Sequence, residues 1–312
     1  MLISENKSVI PVVLFAYKRL DVLRRTMTCL CENKISKLIV FSDAPKTDKD
    51  VADVKSVRAY LSTIDWCEVE IHQRASNFGL GTNIIAGVTE VFEKYDTLLV
   101  WEDDLICVPG TYEYLCSALQ YYASDLRVMS VTGWTNRHIL PPNTNNLPYF
   151  DGRAECLVWG TWRRAWMGMQ TETAMEKVQA IKKQGVSPYK YGGDLPYMAK
   201  QEKASNIWAV RFLFHHILNR GLCMRPPWSM VEHIGIDERA TNSSGSSWIN
   251  NGNLNVAPPI PAQWPEPIEN PFCSILHRKM CPRPWSDVFP LCVKIIRAIK
   301  KLLTIRRAGA WL

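Results

Sequence analysis

The chain has 312 residues, 47% hydrophobic and 21% charged, an ordinary balance for a globular protein with a substantial core. No uninterrupted apolar run approaches the roughly 18–20 residues that span a bilayer, which removes a membrane-spanning helix from consideration. The net charge of +7 is concentrated in six basic residues between Val288 and Leu312, so a general nucleic-acid-binding surface is not indicated.

In chain order, "SVIPVVLFAY" (8–17) reads as a buried strand, and no basic region precedes it to suggest a signal peptide. An amphipathic helix is expected from Leu20 to Cys31. "KLIVFSD" (37–43) is a second strand and "DVADVKSVRAYLSTI" (50–64) has helical spacing. "CEVEIHQR" (67–74) alternates as a third strand, followed by a helix at "GTNIIAGVTEVFEKY" (81–95). "TLLVWED" (97–103) is a fourth strand, with a helix after Pro109 and a strand at "RVMSVTGW" (127–134). Strands separated by helices of this length predict parallel βαβ units, with ligands bound beyond the carboxyl ends of the strands. Three of those ends carry polar groups: Tyr17-Lys18-Arg19, Asp43 and Glu102-Asp103-Asp104.

After Trp134 the texture changes. "NRHILPPNTNNLPYFDG" (136–152) reads as a turn-rich loop, followed by Trp-rich "LVWGTWRRAW" and two or three short helices. Trp159, Trp162 and Trp166 are expected in the core rather than stacked on a ligand. "IWAVRFLFHHILNRG" (207–221) reads as a buried helix capped by Gly221. A short strand then leads into a polar loop, and residues 258–287 read as an extended Pro-rich connector. The ten cysteines are scattered with no CxxC pair, so reduced core thiols are expected. "VFPLCVKIIRAIKKLLTIRRAGAWL" (288–312) places its Leu, Ile and Val residues on one helical arc and Lys294, Arg297, Lys300 and Lys301 opposite. That pattern predicts a basic amphipathic helix suited to an anionic membrane surface.

Carboxylates are rarely buried unless a cation pairs with them, so "EDD" at the end of a central strand calls for a basic partner or a metal. Adjacent acidic side chains suit a hard divalent cation such as Mg²⁺ or Mn²⁺, whose coordination a phosphate completes. No GxGxxG fingerprint, GxxxxGK[ST] loop or GxSxG elbow is present.

From Val9 to Thr241 the ordered set "PVVLFAYKRLDVLRRTMTCL", "LIVFSDAPK", "RASNFGLGTNIIAGV", "LLVWEDDLICVPGTYEYL", "WGTWRRAW" and "WAVRF…HIGIDERATN" resembles nucleotide-sugar glycosyltransferases of the GT-A fold. The resemblance is to bacterial family-2-like enzymes and to the EDD-containing N-acetylglucosaminyltransferase I group. It implies an α/β, Rossmann-like, mostly parallel sheet flanked by helices. Residues 1–257 would be the catalytic domain, 1–134 holding the donor and 135–257 the acceptor, before the connector and the tail helix. Ala16, Tyr17 and Arg19 match the loop that holds base and ribose, and Asp43 the acid that accepts their hydrogen bonds. Arg74 and Asn77 match the opening of the third donor loop, although Asn77 also reads as a helix cap. Glu102, Asp103 and Asp104 match the DxD-like motif, with Asp104 on the metal, and His233 sits where a late ligand for metal or phosphate occurs.

An inverting transferase needs a carboxylate base for the acceptor hydroxyl. The group's Asp beside a Trp is missing from "IWAVRF". Asp194 in "YGGDLPYM" is the candidate, with helix capping as its alternative, and Glu155 is the second choice. The resemblance implies transfer of a hexosyl or N-acetylhexosaminyl group from a UDP-sugar, with Mn²⁺ or Mg²⁺, to a glycan or lipid-linked glycan in surface polysaccharide synthesis. Attachment to the cytoplasmic face of the inner membrane would follow. A sugar-phosphate nucleotidyltransferase and an inactive glycan-binding protein are the alternatives; oligomeric state is not readable.

Overall fold

The computed structural model describes residues 9–236, 254 and 256–284, so the expected tail helix and residues 237–242 lie outside the described chain. The first half alternates as the sequence implies: β1 (Val12–Ala16), α1 (Leu20–Glu32), β2 (Lys37–Ser42), α2 (Val51–Leu61), β3 (Glu68–Gln73), α3 (Leu80–Val91) and β4 (Thr97–Glu102). A short β5 (Leu105–Cys107) precedes α4 (Thr111–Tyr121) and β6 (Val128–Thr132). The second half adds β7 (Tyr149–Asp151), β8 (Trp159–Trp162), α5 (Arg163–Trp166), α6 (Ala174–Lys183), α7 (Asp194–Ser205), α8 (Ala209–Leu218), β9 (Leu222–Arg225), β10 (Val231–His233) and α9 (Cys273–Met280).

Eight strands form one sheet in the order β3-β2-β1-β4-β8-β6-β9-β7. β1 pairs parallel with β2 and β4, β2 with β3, and β6 with β9; β8 and β7 run against their neighbours. The fold is therefore the expected α/β class with a mostly parallel sheet. The antiparallel insertion of β8 between β4 and β6 is a departure from purely parallel βαβ units. β7 is a second departure, since Tyr149–Asp151 was expected to be loop.

The central strands are buried on both faces, which is why they read as unbroken apolar runs. Alternate residues serve opposite cores. Val12, Leu14, Leu38, Val40, Leu99 and Trp101 pack with α1, α2 and α4. Val13, Phe15, Ile39, Phe41, Leu98 and Val100 pack with α3, α6 and α8. Edge strand β3 is only half-buried, matching its alternating sequence. Trp159 and Trp166 stack at 5.9 Å, and Trp159 lies 5.3 Å from Trp208; all three are buried, as is Trp162. None is free to stack on a sugar.

Two expectations are corrected. The left-handed residue ending α8 is Arg220 (φ 53°), not Gly221. Gly221 is there because a Cβ would run into the Met129 side chain. The Pro-rich stretch is no free connector either. Trp264 is buried among Tyr114, Tyr121 and Tyr122, and Asn270 N–H donates to Phe150 O at 2.9 Å. α9 places His277 Nε2 2.7 Å from Asp151 Oδ2, inside the domain. Among the described residues the cysteines are free thiols, and no helix is long and apolar enough to cross a membrane.

Candidate functional site

Strand order reverses at β1, which has β2 on one side and β4 on the other. The loops leaving the carboxyl ends of β1 and β4 diverge there and open a crevice. A cavity of about 540 Å³ occupies it. Ala16, Tyr17, Lys18 and Arg19 wall it from the first loop, Asp43 and Lys46 from the second, and Asn77 and Gly79 from the third. Glu102, Asp103 and Asp104 come from the fourth, His233 and Gly235 follow β10, and Ala204, Ser205 and Asn206 end α7. Of the residues expected at the site, Ala16, Tyr17, Arg19, Asp43, Asn77, Glu102, Asp103, Asp104 and His233 meet here; Arg74, Glu155 and Asp194 do not line it.

The acidic triplet is built by the ladder. Asp103 N–H donates to Phe15 O at 3.1 Å, continuing the β1–β4 pairing, and Asp103 Oδ2 accepts from Tyr17 N–H at 2.9 Å. Burial, and then the Asp104 carboxylate, push the Asp103 carboxyl up to about 7 against the Tyr17 bond and Arg19. Burial, and then Asp104 and Asp103, raise Glu102 well above the usual carboxylate range. Arg19 Nη1 stands 3.9 Å from Asp104 Oδ2 but donates to Gly235 O at 3.0 Å, while Lys18 is turned to Asp50 at 2.6 Å. Asp104 Oδ1 is buried with no hydrogen-bond partner. A carboxylate oxygen in that position is costly unless a cation meets it, so Asp104 fits a divalent ion. Among the described residues no three His, Cys, Asp or Glu side chains converge as a complete ligand set.

β10 pairs antiparallel with β5, setting His233 opposite Leu105, and Ile234 N–H donates to Asp104 O at 2.9 Å. His233 Nε2 is thereby 3.6 Å from Asp104 Oδ2. Gly235 N–H donates to His233 Nδ1 at 3.2 Å, which assigns the neutral ring's proton to Nε2. That tautomer offers a donor, whereas a metal ligand must offer a bare nitrogen. His233 thus suits a phosphate oxygen better than a metal. A Cβ on Gly235 would collide with the Asp104 carboxylate, so only glycine allows this approach.

Asp43 is buried in the wall with its acceptors spent on the protein. Oδ1 takes Ala44 N–H and Phe78 N–H at 2.9 Å each; Oδ2 takes Gly79 N–H at 2.9 Å and Asn77 Nδ2 at 3.2 Å. Four donors fill the positions of a carboxylate, so Asp43 shapes the third loop. Asn77 also donates to Ala44 O at 2.6 Å, and the residue preceding α3 is Gly79 (φ 69°), so Asn77 is not the helix cap. Arg74 lies behind the wall, sandwiched between Phe41 and Phe78 at 4.7 and 4.8 Å and bonded to Asn83 and Glu90.

The two base candidates sit elsewhere. Asp194 begins α7, and Arg153 grips it with two bonds of 2.8 and 3.1 Å. Burial works against its charge, but Arg153 holds it below the usual carboxylate range. The 12 residues of α7 span about 18 Å between Asp194 and the cavity-lining Ala204–Asn206. Glu155 lies 3.4 Å from Arg225, and both Glu155 and Glu102 act electrostatically on the Cys156 thiol. Sequence reasoning missed Lys46 and Asn206. Asn206 (φ 50°) is the left-handed end of α7, a role asparagine tolerates. Its backbone and amide press against Gly79 and Gly81, where side chains would collide.

Fold and cavity define a class: α/β proteins with a cavity at the carboxyl edge of a mostly parallel sheet. The sequence matches no family model and no curated protein. Among solved structures, the mannosyltransferase PcManGT from Pyrobaculum calidifontis, in complex with GDP-Man and Mn²⁺, aligns over 74% of this chain and 58% of its own at 12% identity, with a TM-score of 0.43. HddC from Yersinia pseudotuberculosis aligns over 39% of this chain and 57% of its own (15% identity, TM-score 0.27). The 4-diphosphocytidyl-2C-methyl-D-erythritol synthase from Anaerococcus prevotii aligns over 41% and 57% (10% identity, TM-score 0.28). The chain thus spans less than two thirds of the length of each.

Proposed function

We propose that this protein is a metal-dependent glycosyltransferase that moves a sugar from a nucleotide-sugar, a UDP-sugar on the sequence resemblance, to a glycan or lipid-linked glycan with inversion. The observation that carries the reading is the convergence of residues from five separated segments, each expected from that resemblance, on one cavity of about 540 Å³. Tyr17 and its loop, held by Asp103, would bear on the nucleoside, and Asp43 would shape the loop around it. Asp104 would hold Mg²⁺ or Mn²⁺ with its unpartnered oxygen, phosphate oxygens and water completing the shell. When bound, that ion stabilises charge on the departing nucleoside diphosphate. Arg19 and His233, flanking Asp104, would steady the diphosphate with charge-assisted and neutral hydrogen bonds.

Of the two carboxylates offered as base, Asp194 is committed to Arg153 and one helix length from the cavity. Glu155 does not line the cavity either, but with only a 3.4 Å contact to Arg225 and a bond from Cys156 N–H it is the less firmly paired of the two and is the proposed base. The basic tail from Val288 would keep the enzyme on an anionic membrane beside a lipid-linked acceptor. The test is nucleotide release across a panel of nucleotide-sugars with Mn²⁺, Mg²⁺ or EDTA. Release that requires the metal and disappears in Asp104→Ala supports the reading. Release undiminished by EDTA, or none with any donor, overturns it.

A further inference from the structure

Three residues beyond Asp104, Cys107 of β5 meets Cys29 of α1. Their sulfurs are 3.6 Å apart, and the two residues are 4% and 6% exposed respectively. The Cys107 thiol and its backbone N–H, the latter at 3.4 Å, both donate to Cys29 Sγ. Asn33 Nδ2 donates in turn to Cys107 Sγ at 3.2 Å. The elements around the pair are held together by further bonds. Asn33, the residue that ends α1, also donates to Cys29 O at 2.8 Å and Val108 O at 3.2 Å, and accepts Tyr112 N–H at 3.1 Å. Thr26 Oγ1, three residues before Cys29, donates to Asp103 O at 2.9 Å. Neither thiol lines the acidic cavity, so the donor chemistry leaves both unused.

A disulfide sets its sulfurs about 2.05 Å apart, so closing this pair takes an approach of about 1.5 Å. The two donors aimed at Cys29 favour its thiolate, the form that reacts. The bond from the Cys107 thiol holds Cys29 below the usual thiol range against the effect of burial, while burial raises Cys107. One sulfur is thus set to be oxidised and the other to resolve it. We propose that Cys29 and Cys107 form a site of reversible oxidative modification, closing an intramolecular disulfide when hydrogen peroxide, a small neutral oxidant, reaches them. The Cys29 thiolate attacks one peroxide oxygen and the O–O bond breaks. The other oxygen leaves as hydroxide, which the proton given up by Cys29 converts to water. Cys107 Sγ then attacks the sulfenic sulfur, forming S–S and breaking S–O, and the second hydroxide leaves as water with the Cys107 proton. Two electrons pass from the sulfurs to the peroxide, and an added dithiol restores both thiols by exchange. α1 begins directly after Arg19 and β5 directly after Asp104, so the bond would tether the elements behind two walls of the acidic cavity. The inference stands independently of the transferase reading.

The test treats the reduced, native full chain with hydrogen peroxide, removes the peroxide with catalase, and unfolds the protein in iodoacetamide. Peptide mass spectrometry without reductant should find the Cys29 peptide joined to the Cys107 peptide, two hydrogens lighter than their sum. Dithiothreitol should separate them. In Cys107→Ser the linked peptide should disappear and dimedone should trap a sulfenic acid on Cys29; in Cys29→Ser, Cys107 should carry neither mark. The link closes an interval of 78 residues, so the thermal midpoint of oxidised wild type should rise by up to about 7 °C with unfolding still cooperative. Recovery of both cysteines as carbamidomethyl adducts after peroxide, or a link from either to a different cysteine, would overturn the site. So would a Cys29–Cys107 link found only in protein that has lost cooperative unfolding.

Discussion

Replacing Asp151 by asparagine keeps the side chain's shape while removing the charge at the centre of a buried trio. Asp151 and Arg225 are 0% exposed and His277 1%. Arg225 Nε stands 2.9 Å and His277 Nε2 2.7 Å from Asp151 Oδ2, and Glu155 meets Arg225 Nη1 at 3.4 Å. Burial works against the Asp151 charge, yet His277 and Arg225 hold its carboxyl well below the usual range. Burial pushes His277 down against the opposing pull of Asp151, and its Nε2–H donates to the carboxylate. Arg225 cannot shed its proton, so Asp151→Asn leaves a cation inside the protein with the longer Glu155 contact as its counter-charge and Arg153 O as a neutral acceptor. Breaking such a pair costs about 3–5 kcal/mol; with Glu155 remaining and the asparagine oxygen still accepting from His277, the expected loss is about 3 kcal/mol. For 312 residues the unfolding entropy is about 0.65 kcal/mol/K, so the thermal midpoint should fall by roughly 5 °C. Urea unfolding gives the free energy, and calorimetry the midpoint. The double variant Asp151→Asn/Arg225→Met removes the stranded cation and should recover most of the loss. A single variant within about 1 kcal/mol of wild type, or a double variant no better than the single, would refute the reasoning.

If Glu155 is the base, Glu155→Gln should lower kcat by about two orders of magnitude or more with donor affinity unchanged. Asp194→Asn should instead lower stability by freeing Arg153; a larger kcat loss in Asp194→Asn would exchange their roles. Burial lowers His216 to about 3, with Nδ1–H donated to Phe212 O at 3.0 Å and Nε2 2.9 Å from Ser130 Oγ. The unfolded chain holds the proton below about 6.5, so stability is full above that pH and is lost as pH falls towards 3, by about 3 kcal/mol at pH 4. His216→Asn should show a shallower acid loss in urea midpoints, and equal slopes would remove His216 from the account. Full-length protein should sediment with anionic liposomes at low salt and release at high salt, while protein ending at Ser286 stays in solution. Equal binding by the shortened chain would clear the tail of that role.

The strands that form the centre of the sheet were legible because residues buried on both faces leave unbroken apolar runs. The acidic cavity was legible because polar residues at the ends of such runs have few other uses. β8 was not, since four residues, "WGTW", are too few to show a period and their abundant tryptophan suits helix or strand alike. α9 was hidden for another reason: its eight residues lie between prolines, and its anchor, Asp151, is 126 positions from His277. The resemblance placed Asp43 near the cavity, but its four bonds to Ala44, Phe78, Gly79 and Asn77 depend on a loop conformation that spacing does not report. Asn206 was missed and Gly221 misjudged because close approach between distant segments leaves no local signature.

That distance between Asp151 and His277 also sets an order in time. At about 5–20 residues per second, ribosomal synthesis leaves roughly 6–25 s between the two emerging from the peptidyl-transferase centre. Until residues 264–280 arrive, Asp151 lacks its His277 partner and the pocket for Trp264 stays open to water. Strands β1 to β4 could close early on their own parallel pairing, while the far edge of the sheet waits for α9. A chaperone binding during synthesis would find its exposed apolar surface there, around Tyr114, Tyr122 and Phe150, which Trp264 and Cys273 later cover.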